Sequence, residues 1–238
     1  MNHRSSLSYS GRGIKIAIID SGIDPSHPHI KAVAGGVRIA PDGTTSSNYL
    51  DYNGHGTAVT AVIREKAPDA LLYAVKIFDR SLTTNIETTV RALEWAIENE
   101  MMVVNLSLGT NNQSHRRLLQ DSVDAAVEKK IVVVSASHDG DCSLFPGSLP
   151  GVVGVGMDST CPRDRFRLLQ NNGEPVFIAS DQLRTLPGIS VEPTRSGVSF
   201  AVAAMTGFVA LAREIEPDTP VSSLKSLLIQ MAESFGTQ

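Results

Sequence analysis

Residues 195–207 read RSGVSFAVAAMTG, and the helix this stretch begins organises the rest of the chain. Ser199 stands between the small residues Gly197 and Ala201, and an apolar run from Phe200 to Leu211 follows at once. A serine at the mouth of a buried helix has its hydroxyl on a rigid element beside a positive helix end, where a nucleophile or an oxyanion is steadied. Taken alone, the same pattern also serves as an N-cap with tight packing. The other segments of the chain decide between chemistry and architecture.

Length and composition set the frame. A chain of 238 residues, 42% apolar, can bury one large core, and no shift in composition marks a linker. A single domain over residues 1–238 is expected, with a polar N-terminal extension at 1–12 and a C-terminal helix and tail at 220–238. The net charge is −4, and the densest basic group, Arg163, Arg165 and Arg167, forms no continuous basic face, so nucleic acid is not expected as a partner. The N-terminus MNHRSSLSYSGRG lacks the apolar core of a signal peptide, and no apolar run is read as spanning a bilayer. A cytoplasmic location is expected, with a secreted mature form as the alternative. Cys142 and Cys161 are too few for a disulfide framework and lack metal-ligand spacing.

Ile14 to Ile19 reads as a buried parallel strand ending in Asp20-Ser21-Gly22, which puts Asp20 at the carboxyl end, where open α/β sheets hold ligands. In isolation it is an Asx turn; in a site it is an acid that orients a histidine. Residues 25–53 read as a surface excursion with a short strand near Gly36 to Ile39, and His27 and His29 as solvated loop residues rather than metal ligands. His55 lies between two glycines at the start of a helix running to about Lys66. Strands follow at Ala70 to Ile77, Met101 to Leu106, Ile131 to Ala136, Val152 to Met157 and Pro175 to Ala179. Helices are expected over Asn85 to Asn99, His115 to Lys129 and Val221 to Ala232. This alternation predicts an α/β fold with a mainly parallel central sheet.

Asp20, His55 and Ser199 then fit the roles of acyl transfer. A serine hydroxyl is a poor nucleophile until an imidazole takes its proton, and the imidazole needs a buried carboxylate to set its tautomer. The order Asp, His, Ser is the subtilisin order.

IKIAIIDSGID, NGHGTAVTAVI and SGVSFAVAAMTG resemble the aspartate, histidine and serine motifs of the subtilase family. APDALLYAVKIFD, ALEWAIENEMMVVNLSLG and FPGSLPGVVGVGMDS resemble subtilase segments in the expected order, and together the similarity covers roughly Gly13 to Leu211. The resemblance implies a subtilisin-like three-layer fold with helices on both faces of the sheet, and a serine endopeptidase needing no cofactor. Asp20 would orient, His55 would act as general base and then acid, and Ser199 would attack, its own N–H helping to bind the oxyanion. An extended peptide or protein substrate would add as a strand between Ser107-Leu108-Gly109 and Leu82-Thr83-Thr84. Ala136, Ser137, Ser143 and Leu144 would line the pocket for the side chain before the cut. Leu144, where the family usually has a small residue, makes that pocket shallow; Asp139 and Asp141 at its rim favour a basic side chain instead, and both readings stand.

Departures from the family pattern carry their own expectations. His138 occupies the place of the family's oxyanion asparagine, and its imidazole N–H is expected to donate in its stead; losing such a donor costs roughly 100- to 1000-fold in turnover, a magnitude taken from a subtilisin itself. Val198, Phe200 and Ala203 replace a threonine, a methionine and a proline, with helix geometry preserved. The link from the histidine helix to Ala67-Pro68 lacks the loop that carries the main calcium site of many secreted members, so no metal is expected there. The function expected is a dedicated peptide-precursor or leader-processing protease. Its rivals are a peptide-binding pseudoprotease and an acyl-transferring ligase or macrocyclase. The residues do not set the oligomeric state.

Overall fold

The strand KIAIID shows how the layers are built. Alternate side chains of a strand point to opposite faces: Ile16 and Ile18 enter one apolar cluster, Ala17 and Ile19 another, and all are buried. A strand buried on both faces needs helices on both, which is the three-layer arrangement found in the computed structural model. Residues 9–140, 142–171, 174–183 and 197–236 are described.

In chain order the strands are β1 (Lys15–Asp20), β2 (Gly35–Ile39), β3 (Thr45–Ser46), β4 (Leu71–Lys76), β5 (Val103–Leu106), β6 (Val132–Ala136), β7 (His138–Asp139), β8 (Cys142–Ser143), β9 (Val153–Met157), β10 (Arg167–Asn171) and β11 (Glu174–Ala179). The helices are α1 (His55–Lys66), α2 (Ile86–Glu98), α3 (Arg116–Glu128), α4 (Val198–Ile215) and α5 (Val221–Gly236). The main sheet has the order β10-β11-β9-β6-β5-β1-β4-β2-β3. Pairing is parallel from β11 through to β2. Only the outer pairs, β10 with β11 and β2 with β3, are antiparallel. Helices α1, α4 and α5 cover the face that holds Ile16 and Ile18, while α2 and α3 cover the other.

Helix α4 fits the length and composition of a membrane span, which the sequence reading had not allowed; with 72% of its apolar window buried inside the molecule, it is a core helix. Two further corrections concern the sheet. Strand β10 and the β7–β8 hairpin were not expected, and Ser137-His138-Asp139-Gly140, read as a loop, contains the first strand of that hairpin, with His138 opposite Ser143. Helix α5 continues past Ala232 to Gly236. Most of the N-terminal extension, the tail residues 237–238, Asp141, and Arg195 and Ser196 ahead of the serine lie outside the described residues.

Because β1, β5 and β6 run parallel, Asp20, Leu106 and Ala136 all end at the same edge of the sheet. Chain segments leaving that edge carry the candidate residues.

Candidate active site

Asp20 closes β1 with its side chain 1% exposed, and His55 opens α1 with its side chain 16% exposed. His55 Nδ1 lies 2.8 Å from Asp20 Oδ1, and the Ser21 N–H donates to the same oxygen at 2.7 Å. A carboxylate can only accept here, so the imidazole proton sits on Nδ1 and the lone pair on Nε2. That is the tautomer a general base requires, and a buried carboxylate stabilises the imidazolium that proton transfer would create. The second oxygen, Oδ2, is buried without a hydrogen-bond partner among the described residues.

Glycine makes the approach possible. A Cβ on Gly56 would meet the Gly22 carbonyl oxygen at 2.2 Å and Asp20 Oδ1 at 3.1 Å, so any larger residue would push α1 off the end of β1. Gly54 caps α1 in the left-handed region at φ 87° and offers no side chain to its first N–H groups.

Ser199 is half-buried in the first turn of α4, where backbone N–H groups lack intrahelical acceptors. The ring of the next residue, Phe200, lies 5.8 Å from the His55 ring between centroids, so the starts of α1 and α4 meet at His55. Ser199 Oγ donates to the Ser107 carbonyl at 3.3 Å, and Ser107 Oγ to the Ser199 carbonyl at 3.5 Å. The structure thus gathers Asp20, His55, Ser199 and Ser107 at one edge. An acid, a base and a hydroxyl at a helix N-terminus form an arrangement able to carry acyl transfer.

The flanking segments are placed as follows. Ser107, Leu108 and Gly109 continue from β5 outside any ladder, held by Ser135 Oγ donating to the Leu108 carbonyl at 3.2 Å and by the bridge from Thr110 to Phe145. Leu82, Thr83 and Thr84 precede α2, also outside any ladder, with Leu82 45% exposed. Ala136 and Ser137 are buried at the end of β6, and the half-buried Leu144 donates its N–H to the Ser137 carbonyl at 2.9 Å. Leu144 also presses on Gly109, where an added Cβ would stand 3.0 Å from the Leu144 Cβ. His138 Nδ1 is paired with the Ser137 hydroxyl, which also lies 3.2 Å from the Val155 carbonyl.

Sequence reasoning missed the groups that brace these residues. Asn105, fully buried in β5, accepts from Thr206 Oγ1 at 2.9 Å and donates to Ser107 Oγ at 2.8 Å. Asp51 accepts hydrogen bonds from Ser21, Asn53, Gly54 and Thr57. A helix that opens at a glycine needs its cap from elsewhere, and that signal would have pointed to Asp51.

The profile of the subtilase family matches residues 11–238. The chain is 32% identical to a subtilisin of Bacillus pumilus over 248 residues, covering 98% of this chain and 88% of that protein. It is also 32% identical to subtilisin NAT of Bacillus subtilis subsp. natto and to the minor extracellular protease Epr of Bacillus subtilis, covering 97% and 96% of this chain. It spans only 63% and 36% of those two proteins' lengths. Among solved structures, a cold adapted subtilisin-like serine proteinase superposes with a TM-score of 0.70 at 19% identity, covering 97% of this chain and 86% of that one. A lanthipeptide protease superposes at 0.69 and 21% identity, covering 91% and 79%.

Proposed function

The chain belongs to the subtilase family of serine peptidases, and on that premise we propose that it cleaves peptide bonds through an Asp20–His55–Ser199 triad and an acyl-enzyme. The observation that carries the proposal is the 2.8 Å pairing of the buried Asp20 carboxylate with His55 Nδ1, at the point where Phe200 brings the first turn of α4 against the same ring.

In this reading His55 Nε2 takes the proton of Ser199 as Oγ attacks the scissile carbonyl, then returns it to the leaving amine. The Ser199 N–H in the first turn of α4 and the imidazole of His138 bind the oxyanion. The substrate lies extended between Ser107–Gly109 and Leu82–Thr84, segments whose backbone is outside any ladder and so suited to pairing with an added strand.

We extend the proposal to a selective enzyme, one that trims a peptide precursor rather than degrading proteins at large. Leu144 packed on Gly109 supports this by narrowing the pocket expected to receive the side chain before the cut. Two free thiols, Cys142 and Cys161, suit a reducing compartment, and the cytoplasm is the proposed location.

The test is incubation of the chain with a mixed peptide library, with and without a competing amine, followed by mass spectrometry. Hydrolysis products that vanish in Ser199→Ala and His55→Ala support an endopeptidase. Amine-capped products in place of acids would make it a ligase, and peptide retention without any product would make it a binding protein.

A further inference from the structure

We propose that Asp51 is the positioning residue that holds Asp20 and His55 in register, an inference that rests on the triad reading above. Asp51 belongs to no helix or strand and stands four residues ahead of His55. Its carboxylate nevertheless accepts five hydrogen bonds. Oδ1 takes Ser21 Oγ at 2.9 Å, the Asn53 N–H at 2.9 Å and the Gly54 N–H at 2.8 Å. Oδ2 takes the Thr57 N–H at 2.9 Å and Thr57 Oγ1 at 2.7 Å.

These donors lie beside both partners of the dyad, Ser21 next to Asp20 and Asn53, Gly54 and Thr57 around His55. Ser21 follows Asp20 at the end of β1; its N–H donates to Asp20 Oδ1 at 2.7 Å, and its hydroxyl oxygen accepts the Gly56 N–H at 2.9 Å. On the other side, Gly54 and Thr57 bind Asp51 directly, and Gly56 binds it through Ser21. His55 is therefore bracketed on its own backbone by residues anchored to one carboxylate, and that carboxylate also holds the residue beside Asp20. Moving Asp51 would change the Asp20–His55 separation from both ends.

The charge matters as well as the shape. The first N–H groups of α1 have no intrahelical acceptor, and Gly54 supplies no side chain to cap them. A carboxylate outside the helix takes that place with charge-assisted bonds, which are shorter and stronger than neutral ones. A carboxamide of the same size accepts through one atom only, so Asp51→Asn turns an NH₂ group toward either the Ser21, Asn53 and Gly54 donors or the Thr57 donors.

The experiment compares the wild-type chain with Asp51→Asn and Ser21→Ala, after circular dichroism has shown each to be folded. It reads kcat and KM on a cleaved peptide, the rate of labelling by a fluorophosphonate, and the low-field proton resonance of His55 Nδ1–H. For Asp51→Asn the expected result is a kcat reduced about 100-fold with KM little changed, as for a misplaced catalytic group, a matching loss of labelling rate, and a low-field resonance shifted or lost to exchange. Ser21→Ala, which removes the hydroxyl's bond to Asp51 and the link to Gly56 but leaves Asp51 bound to Asn53, Gly54 and Thr57, is expected to show the same pattern at about a tenth of the size. A folded Asp51→Asn protein with wild-type kcat and an unmoved resonance would make Asp51 a helix cap and nothing more. Should Asp51→Asn not fold, unchanged values in Ser21→Ala would overturn the proposal equally. If the wild-type chain itself takes no label, the triad reading has failed, and the resonance alone decides: present in wild type and displaced in the variants supports positioning, unmoved refutes it.

Discussion

Ser107 and Ser199, ninety-two positions apart, face each other through two hydrogen bonds, each hydroxyl directed at the other's carbonyl, at 3.3 Å from Ser199 Oγ and 3.5 Å from Ser107 Oγ. Behind Ser107 stand Asn105 and Thr206, so the expected substrate strand is braced from the core of α4. Replacing Thr206 by Val removes the donor to a fully buried amide oxygen, which costs about 1–3 kcal/mol. Ser107→Ala should cost a similar amount by stranding Asn105 Nδ2. Both losses are read as lower urea midpoints, and the two together should destabilise by less than the sum, since they share Asn105.

Leu144 sets the depth of the proposed pocket. Shortening it to Ala frees the space beside Gly109, and the ratio of kcat/KM for a substrate with Phe before the cut over one with Ala should rise roughly 10-fold or more. Paired fluorogenic peptides measure this ratio directly.

Glu65, at the end of α1, binds both Lys66 at 2.7 Å and Arg163, and Arg163 in turn binds the Gln182 carbonyl. Burial works to raise the Glu65 carboxyl, but hydrogen bonds and charge from Lys66 and Arg163 outweigh it and hold the group below its ordinary 4.5. A carboxyl lowered on folding stabilises the native state in full above its unfolded value, and the gain is lost as pH falls through the folded one. Glu65→Gln should therefore cost about 2 kcal/mol at pH 7, between the values for exposed and fully buried pairs. In urea titrations the gap between the two proteins should stay constant down to about pH 5 and close below it.

Phe166 is fully buried, with the rings of Phe208, Phe235 and Phe177 at 5.0, 5.6 and 6.0 Å between centroids. It joins α4, α5 and the sheet. Phe166→Ala should destabilise by about 3–5 kcal/mol in equilibrium unfolding, with the Asp20–His55 end of the sheet last to lose its hydrogen-exchange protection.

The elements nearest the site were the most legible. The helix from His55 to Lys66 has the predicted ends, β4, β5 and β6 fall within the apolar runs read as strands, and β1 runs one residue past its own, to Asp20, because a strand buried on both faces leaves an uninterrupted signal. Strand β10 was lost for the opposite reason: RLLQN is an edge strand with charged and amide residues, and its arginine reads as part of a basic cluster. The β7–β8 hairpin is two residues a side, too short to show any period. Asp20, His55 and Ser199 announce themselves through local motifs. Asp51, Asn105 and Thr206 do not, since each matters through a partner that the fold alone brings near.

The central claim is that Ser199 is an activated nucleophile, and the most direct measurement is intact mass after reaction with a fluorophosphonate, beside Ser199→Ala. The account predicts one adduct on the wild-type chain, mapped to Ser199 and absent from the variant. A folded wild-type chain that takes no adduct, or takes it equally in Ser199→Ala, would contradict it.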